Sequence, residues 1–446
     1  MVAECHRQIA VLVIAIACAV PTPAEEVVEK IDVDRVWSGH PVGFALLTRG
    51  DRQFVAYYDA NRHMTVAARR LGETQWQKAT LPEELGWDSH NYVTIAVDDA
   101  GFIHLSGNMH GRRLVYFRTT APLNISTFKP AAMVGEREDR VTYPDFLPNI
   151  RGPEGELLFT YRDGSSGNGD QIFNMYDVKA QKWSRLLDTP LTSGGGKMNA
   201  YFYGPIKGPD GFAHMCWVWR DTGDCATNHD ICYARSKDMV HWESATGKPL
   251  TLPMTIASAD AIVDPVPIKA GLLNGNVKLG FDSHKRVIVT YHKFDPEGNT
   301  QIYNARIENG AWKIHLLTDW KYRWDFHGGG AIISEIHLSG ATVGKDGALR
   351  ISYTHKEYGA GTWRIDEETL KMLDLTKLPG LTATEIDDLE SDSPEMSTRQ
   401  SNDLGAGDNP NIRYVLQWET LGPNRDQPRE GTPPPPTTLR VVALRK

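Results

Sequence analysis

The stretch Phe202–Trp242, FYGPIKGPDGFAHMCWVWRDTGDCATNHDICYARSKDMVHW, decides the fold. It opens on an apolar strand, turns at Pro209-Asp210-Gly211, runs from Phe212 to Trp219, loops, and returns through Asp230 to Arg235 before closing on Trp242. Pro presets φ and Gly accepts positive φ, so the triplet is a turn, while the aromatic and β-branched runs beside it favour strands. The unit recurs in Val93–Phe128, Phe146–Trp183 and Asn276–Trp312, each with Asp or Gly at the turn and an aromatic at the end. Gly43–Trp76 and Gly340–Leu370 are weaker copies, and the strands Ile412–Trp418 and Thr438–Leu444 supply a seventh. A repeat of this length that forms several short strands is a blade, and seven blades closed in a ring leave no exposed sheet edge. The sequence therefore predicts an all-β, seven-bladed β-propeller, a single domain over 25–446. Its blades lie near 43–76, 93–128, 146–183, 202–242, 276–312, 340–370 and 411–445. The polar, acidic stretch Leu373–Asn411 reads as a long surface loop.

Residues 1–24 have a different character. Arg7 precedes the apolar run Ile9–Val20, and small residues with Pro follow, the layout of a secretory signal peptide cleaved after Ala19 or Ala24. The expected location is therefore secreted or periplasmic. No later apolar run is long enough to span a bilayer, so no transmembrane segment is expected. The net charge of −8 argues against nucleic acid as the partner, because phosphate binding needs a basic face. It leaves room for an anionic sugar bound in a local cationic cleft. A monomer is expected.

Aligning the repeats places one loop of every blade on a shared face. Those loops read Tyr57-Tyr58-Asp59, Asn108-Met109-His110, Tyr161-Arg162-Asp163, Trp219-Arg220-Asp221, Tyr291-His292-Lys293 and Thr354-His355-Lys356. Turn geometry alone would call for Gly, Asn and Asp. An imidazole or cation in five successive blades instead predicts a cleft for a carboxylated or sulfated chain, with Arg220, His292 and His355 as substrate-binding candidates. The starts of the inner strands bring His90, Tyr143 and Tyr201 toward His110 and Arg162. This set suits β-elimination at a uronic acid. A cation neutralises the carboxylate, a base takes the C5 proton, and an acid protonates the leaving O4. A glycoside hydrolase would use two facing carboxyl groups, for which Asp163 and Asp221 are available. A glycan-binding propeller without catalysis is the third reading.

The chain resembles the bacterial-neuraminidase-repeat propellers that include ulvan lyases, enzymes that cleave a sulfated rhamnose and glucuronate polysaccharide of green algae. The resemblance is carried by Asp88-Ser-His-Asn91, Asn108-Met-His110, Val141-Thr-Tyr-Pro144, Tyr161-Arg-Asp-Gly164 and Asn228–Ser236, with a degenerate Asp-box from Ser236 to Trp242. It implies a polysaccharide lyase with His90 and His110 at the catalytic centre. His110 would be the base, Tyr143 the acid, Arg162 the neutraliser of the carboxylate, and Tyr201 a support.

Members of that family also carry a structural zinc. His214 and Cys216 lie two apart on a strand, Cys232 is expected opposite Cys216, and Cys225 would fold back to join them, with His229 as an alternative ligand. A Cys216–Cys232 disulfide or three buried thiols are the other readings. The chemistry itself needs no cofactor. Trp320-Lys-Tyr-Arg-Trp324 followed by His327-Gly-Gly-Gly330 has the content of a sugar subsite or of blade packing.

Overall fold

A computed structural model describes residues 26–377 and 395–445, so the expected leader lies outside the described residues. The strands form seven separate sheets of four to six strands. Every pairing between strands is antiparallel except that of Ala406–Gly407 on the edge strand Ala45–Gly50.

The sheets built on Leu157–Ser165 and Ala213–Arg220 are apolar on both faces, because a sheet lies on either side of each, whereas the sheet of Leu349–His355 turns Arg350, Ser352 and Thr354 to one face. The strand Ala213–Arg220 shows the rule: every residue in it is buried. Met215, Trp217 and Trp219 face the preceding sheet and pack with Leu158 and Phe173. Cys216 and Val218 face the following sheet and pack with Val289 and Tyr291. Alternation by two along the strand thus sends successive side chains into two different cores. Such a strand reads as a continuous apolar run, and the outermost strands read as polar.

The sheet containing the C-terminus corrects two expectations. Its strand order is Glu26–Val36, Thr437–Arg445, Ile412–Leu421, Met396–Asn402. The first strand of the described chain therefore pairs with the last, with Ile31 opposite Val441 and Val36 opposite Thr437. The seventh unit is completed by the start of the chain rather than by 411–445 alone. The stretch expected to be one long loop instead contains, besides the short Ala406–Gly407, two longer strands. Met372–Lys377 finishes the sheet built on Leu349–His355 and Gly359–Ile365, and Met396–Asn402 pairs with Ile412–Leu421. Both are outer strands that bury little, and only Met396 is buried in the second. They therefore lack the apolar periodicity that marks a strand in sequence.

Val33 and Val36 anchor the first strand in a core shared with Leu439 and Val441. Val33→Asp places an unpaired carboxylate there and should cost about 3 kcal/mol or more. Val28→Asp, on an exposed part of the same strand, should cost no more than about 0.5 kcal/mol. Equal denaturant midpoints for the two variants would mean that this pairing contributes little to the fold.

Candidate active site

The site begins with a local turn. Asp88 Oδ1 accepts the backbone N–H of His90 at 2.9 Å, an Asx-turn that a short carboxylate makes readily. The same oxygen lies 2.7 Å from His90 Nδ1, and Oδ2 lies 2.6 Å from His110 Nδ1. One carboxylate therefore holds both imidazoles by the same ring atom and leaves both Nε2 atoms to the pocket. The rings stack with centroids 4.3 Å apart.

His110 reaches that position because the chain changes sheets beside it. Asn108 takes a left-handed conformation (φ 62°), tolerated by Asn better than by most residues. The short strand His110–Arg112 then pairs with Val141–Arg151 of the next sheet. Tyr143 sits in a bulge where Tyr143 and Pro144 together oppose Tyr161, and its own φ is 54°. An aromatic residue in that region costs about 1–3 kcal/mol, a strain that recurs at functional sites. The bulge brings the ring 5.7 Å from His90 and 6.0 Å from His110, centroid to centroid.

A pocket of about 280 Å³ is lined by His90, His110, Tyr143, Tyr201 and Arg220, with Asn274 and His337 among its other walls. No Asp or Glu lines it among the described residues. Arg220 Nη1 donates to Tyr201 Oη at 3.3 Å, and Ser166 Oγ lies 2.5 Å from the same oxygen. Beneath this pocket is a cavity of about 340 Å³ lined by Tyr92, Asp145 and Arg162, which shares Tyr143 and Tyr201 with the pocket. Arg162 is 2% exposed, and its three guanidinium nitrogens have no hydrogen-bonded acceptor. It lies 4.9 Å from the Tyr143 ring centroid and 5.1 Å from that of Tyr201, so cation–π attraction is its main compensation.

The charges sort the titratable groups. Burial alone would lower His90, but Asp426 and Asp88 outweigh it and hold the imidazole up at about 9. Burial would raise Asp88, but the hydrogen bonds from His110 and His90 hold it well below the usual carboxylate range. Burial pushes the Tyr143 phenol far up, so it keeps its proton. Burial also acts to raise Tyr201, yet the Arg162 and Arg220 guanidiniums prevail and pull it below its ordinary value. Asp145 is exposed where it lines the lower cavity, and desolvation by the surrounding protein raises it to about 6.

The structure brings together His90, His110, Tyr143, Tyr201 and Arg220. Three expectations change. Arg162 sits behind the two tyrosines in the lower cavity, not on the wall of the pocket. His292 is fully buried against Trp324 and Phe326, and burial lowers it to about 4. His355 is packed among Trp320, Tyr322 and Tyr358, and its Nδ1 accepts the backbone N–H groups of Glu357 and Tyr358. Burial lowers it likewise to about 4. Neither histidine lines the pocket, because the side chain at that repeat position turns into the gap between sheets in these blades. Trp320 and Trp324 are buried and belong to blade packing.

The residues expected to hold zinc do not fit it. Cys216 pairs with Tyr233 and Cys232 with Trp217, so the two thiols lie on opposite faces of the sheet. Both ring nitrogens of His214 are engaged, by Tyr233 Oη and Asp210 Oδ1. Cys225 lines the pocket of His90 and His110 instead, and His229 is held between Asp221 and Asp230. Among the described residues Cys216, Cys225 and Cys232 are free thiols. Among the described residues, two other groups bring three ligand-type atoms within 4.8 Å of one another: Asp88, His90 and His110, and Asp282, His284 and Glu367. In the first the separations are hydrogen bonds that use both carboxylate oxygens. In the second Arg286 and Arg306 already neutralise Asp282. We read neither as a metal centre.

Comparison with known proteins adds a family. The profile described as BNR repeat-containing family member matches residues 52–320, more than half of the chain. The long-isoform ulvan lyase of Alteromonas sp is 29% identical over 152 residues, 31% of this chain and 15% of that protein. The short-isoform ulvan lyase of Alteromonas sp. (strain LOR) is 30% identical over 158 residues, 31% of this chain and 28% of that protein. The chain thus spans less than a third of the length of these relatives. Among solved structures, the polysaccharide lyase Uly1 superposes with a TM-score of 0.61 at 14% identity, covering 94% of this chain and 99% of that one. A PL25 ulvan lyase bound to a GlcA(1-4)Rha3S saccharide gives 0.57 at 14% identity, covering 93% and 96%. At such identities the likeness concerns the fold.

The raised pKa of His90 has a consequence for stability. Its folded value exceeds the ordinary 6.5, so the stability it contributes is fully present below about pH 6.5 and is lost as pH rises through about 9. The melting temperature of the protein should fall over that window, and the fall should be smaller in His90→Gln. Identical slopes in the two proteins would show that the proton is not held.

Proposed function

Since the chain belongs to the BNR repeat-containing family, we propose that it is a polysaccharide lyase that cleaves a uronate-containing polymer, ulvan or one like it, by β-elimination. One observation carries the reading: the pocket presents three imidazoles, two phenols and a guanidinium, and among the described residues no carboxylate lines it. Asp163 is paired with Arg137 and Asp221 with His229, away from the pocket, which disfavours a two-carboxylate hydrolase. The names of the relatives point to the same chemistry.

In this mechanism His90, as an imidazolium, and Arg220 face the uronate carboxylate, which acidifies the C5 proton. His110, with Nδ1–H on Asp88, takes that proton at Nε2. The C5–H electron pair becomes the C4=C5 double bond, the C4–O4 bond breaks, and Tyr143 gives its phenolic proton to O4. Tyr201, with the most acidic phenol of the site, is the alternative base. Arg162 acts from behind through the two phenols. The seven sheets form a seven-bladed ring closed by the pairing of Glu26–Val36 with Thr437–Arg445. The leader 1–24 sends the mature chain out of the cytoplasm, where it works as a monomer.

The test is an ultraviolet screen of the purified protein against ulvan, alginate, pectin and glycosaminoglycans. An unsaturated uronate product is expected from one of them. New reducing ends without that absorbance would mean hydrolysis, and binding without cleavage a lectin-like role. On the cleaved polymer, Tyr143→Phe should lower turnover at least about 100-fold with little change in affinity. Arg220→Lys should chiefly raise KM, since an ammonium cannot reproduce the planar fork. Near-normal turnover in both Tyr143→Phe and His110→Ala would overturn the assignment of acid and base.

A further inference from the structure

The turn at Arg425 and Asp426 enters the rim of the pocket from the C-terminal segment, and the mechanism above makes no use of it. We propose that Asp426 is a positioning residue: it keeps His90 an imidazolium and ties the rim loop His327–Ala331 to the His90 loop, so the C-terminal segment completes the site. The inference rests on the lyase reading only in making His90 face the substrate carboxylate.

The contacts are specific. Asp426 Oδ1 accepts Ser89 N–H at 3.1 Å and Ser89 Oγ–H at 2.6 Å. Its Oδ2 accepts the Ala331 N–H at 2.8 Å and lies 3.3 Å from His90 Nδ1. Arg425 Nη1 donates to the carbonyls of His327 and Gly329 at 3.1 and 3.0 Å. Both turn residues are left-handed, at φ 51° and 59°, a conformation that surrounding contacts must hold. The rim loop approaches so closely that a Cβ on Gly330 would lie 2.6 Å from the Arg425 carbonyl oxygen.

Charge counting explains why a second carboxylate is needed. Asp88 gives one oxygen to each imidazole, so its single charge is shared between His90 and His110. The groups facing His90 are Asp88 from its own loop, His110 and Tyr143 from neighbouring strands, and Asp426 from the C-terminal turn. His40 also feels Asp88 and Asp426, but burial and then Arg62 lower it to about 4, so it adds no charge. Arg220, on the same pocket, opposes a second cation. Asp426 supplies the anion that lets His90 stay protonated beside His110.

Asp426→Asn keeps the shape and the acceptor for Ser89 but removes the charge. Its effect is read twice: by nitrogen NMR titration of the His90 ring in the unliganded protein, and by the pH profile of kcat/KM on the cleaved polymer. In Asp426→Asn the His90 titration should move down by about one pH unit or more. The alkaline limb of kcat/KM should move with it, and Asp426→Glu should restore part of both. Arg425→Ala loosens the rim loop without touching that charge, so it should raise KM and leave the limb in place. An unmoved His90 titration in Asp426→Asn overturns the proposal and makes Asp426 a purely structural tie. Should Asp426→Asn not fold, Ser89→Ala, which frees the carboxylate from its anchor, is read in the same two ways. A shifted titration in a protein that cleaves no uronate polymer supports the coupling of Asp426 to His90 and overturns the lyase reading alone.

Discussion

The sheets that carry the site have two apolar faces, and that constraint organises the rest. Trp217 with Cys232 on one side and Cys216 with Tyr233 on the other cannot both be buried unless a sheet stands on each side. Burial of an aromatic side chain stabilises by roughly 2–3 kcal/mol, and the sheets carry several each. The last sheet is completed at its edge by Glu26–Val36, whose pairing with Thr437–Arg445 satisfies backbone groups an edge would leave open.

The site stands where that order is broken. The inner strands converge, and two departures from regular pairing aim side chains into the space between them. Asn108 turns the chain out of one sheet so that His110 pairs with the next, and the bulge at Tyr143 rotates an aromatic ring out of its sheet. Both residues hold unfavourable backbone angles that the surrounding hydrogen bonds, such as Gly111 N–H to Thr142 Oγ1, keep in place. Strain at these two positions buys the convergence of groups from three sequence-distant segments.

Arg162 shows how electrostatics set the roles of the two tyrosines. A buried guanidinium without an acceptor is costly, and here two aromatic faces partly offset the cost. The same cation acts unequally on its neighbours. Tyr201 also meets Arg220 and Ser166 and becomes the more acidic phenol, whereas Tyr143 is dominated by burial and keeps its proton. One phenol is suited to donate a proton and the other to lose one.

Much of this was legible in the sequence. The turn-and-aromatic repeat marked an all-β chain of many short strands, since that periodicity follows from residues near each other along the chain. Reading the repeats against one another brought His90, His110, Tyr143, Tyr201 and Arg220 to one face. The same alignment placed His292 and His355 there wrongly, because position in a repeat locates a Cα and does not decide whether its side chain turns toward the axis or between sheets. Cys232 was misplaced by one residue of register, enough to reverse its face, and a register shift between Val218 and Trp219 lies in that hairpin. The polar outer strands Met372–Lys377 and Met396–Asn402 carried no signal, since what makes them strands is a hydrogen-bonding edge and not their own composition. Asp426 lies 336 residues from His90 along the chain, so nothing local could pair them. The sequence by itself determined the apolar strands, the repeat and the chemical types at the centre. Only the tertiary structure decided register, side-chain direction and the long-range carboxylates, because these depend on contacts between segments that composition does not link.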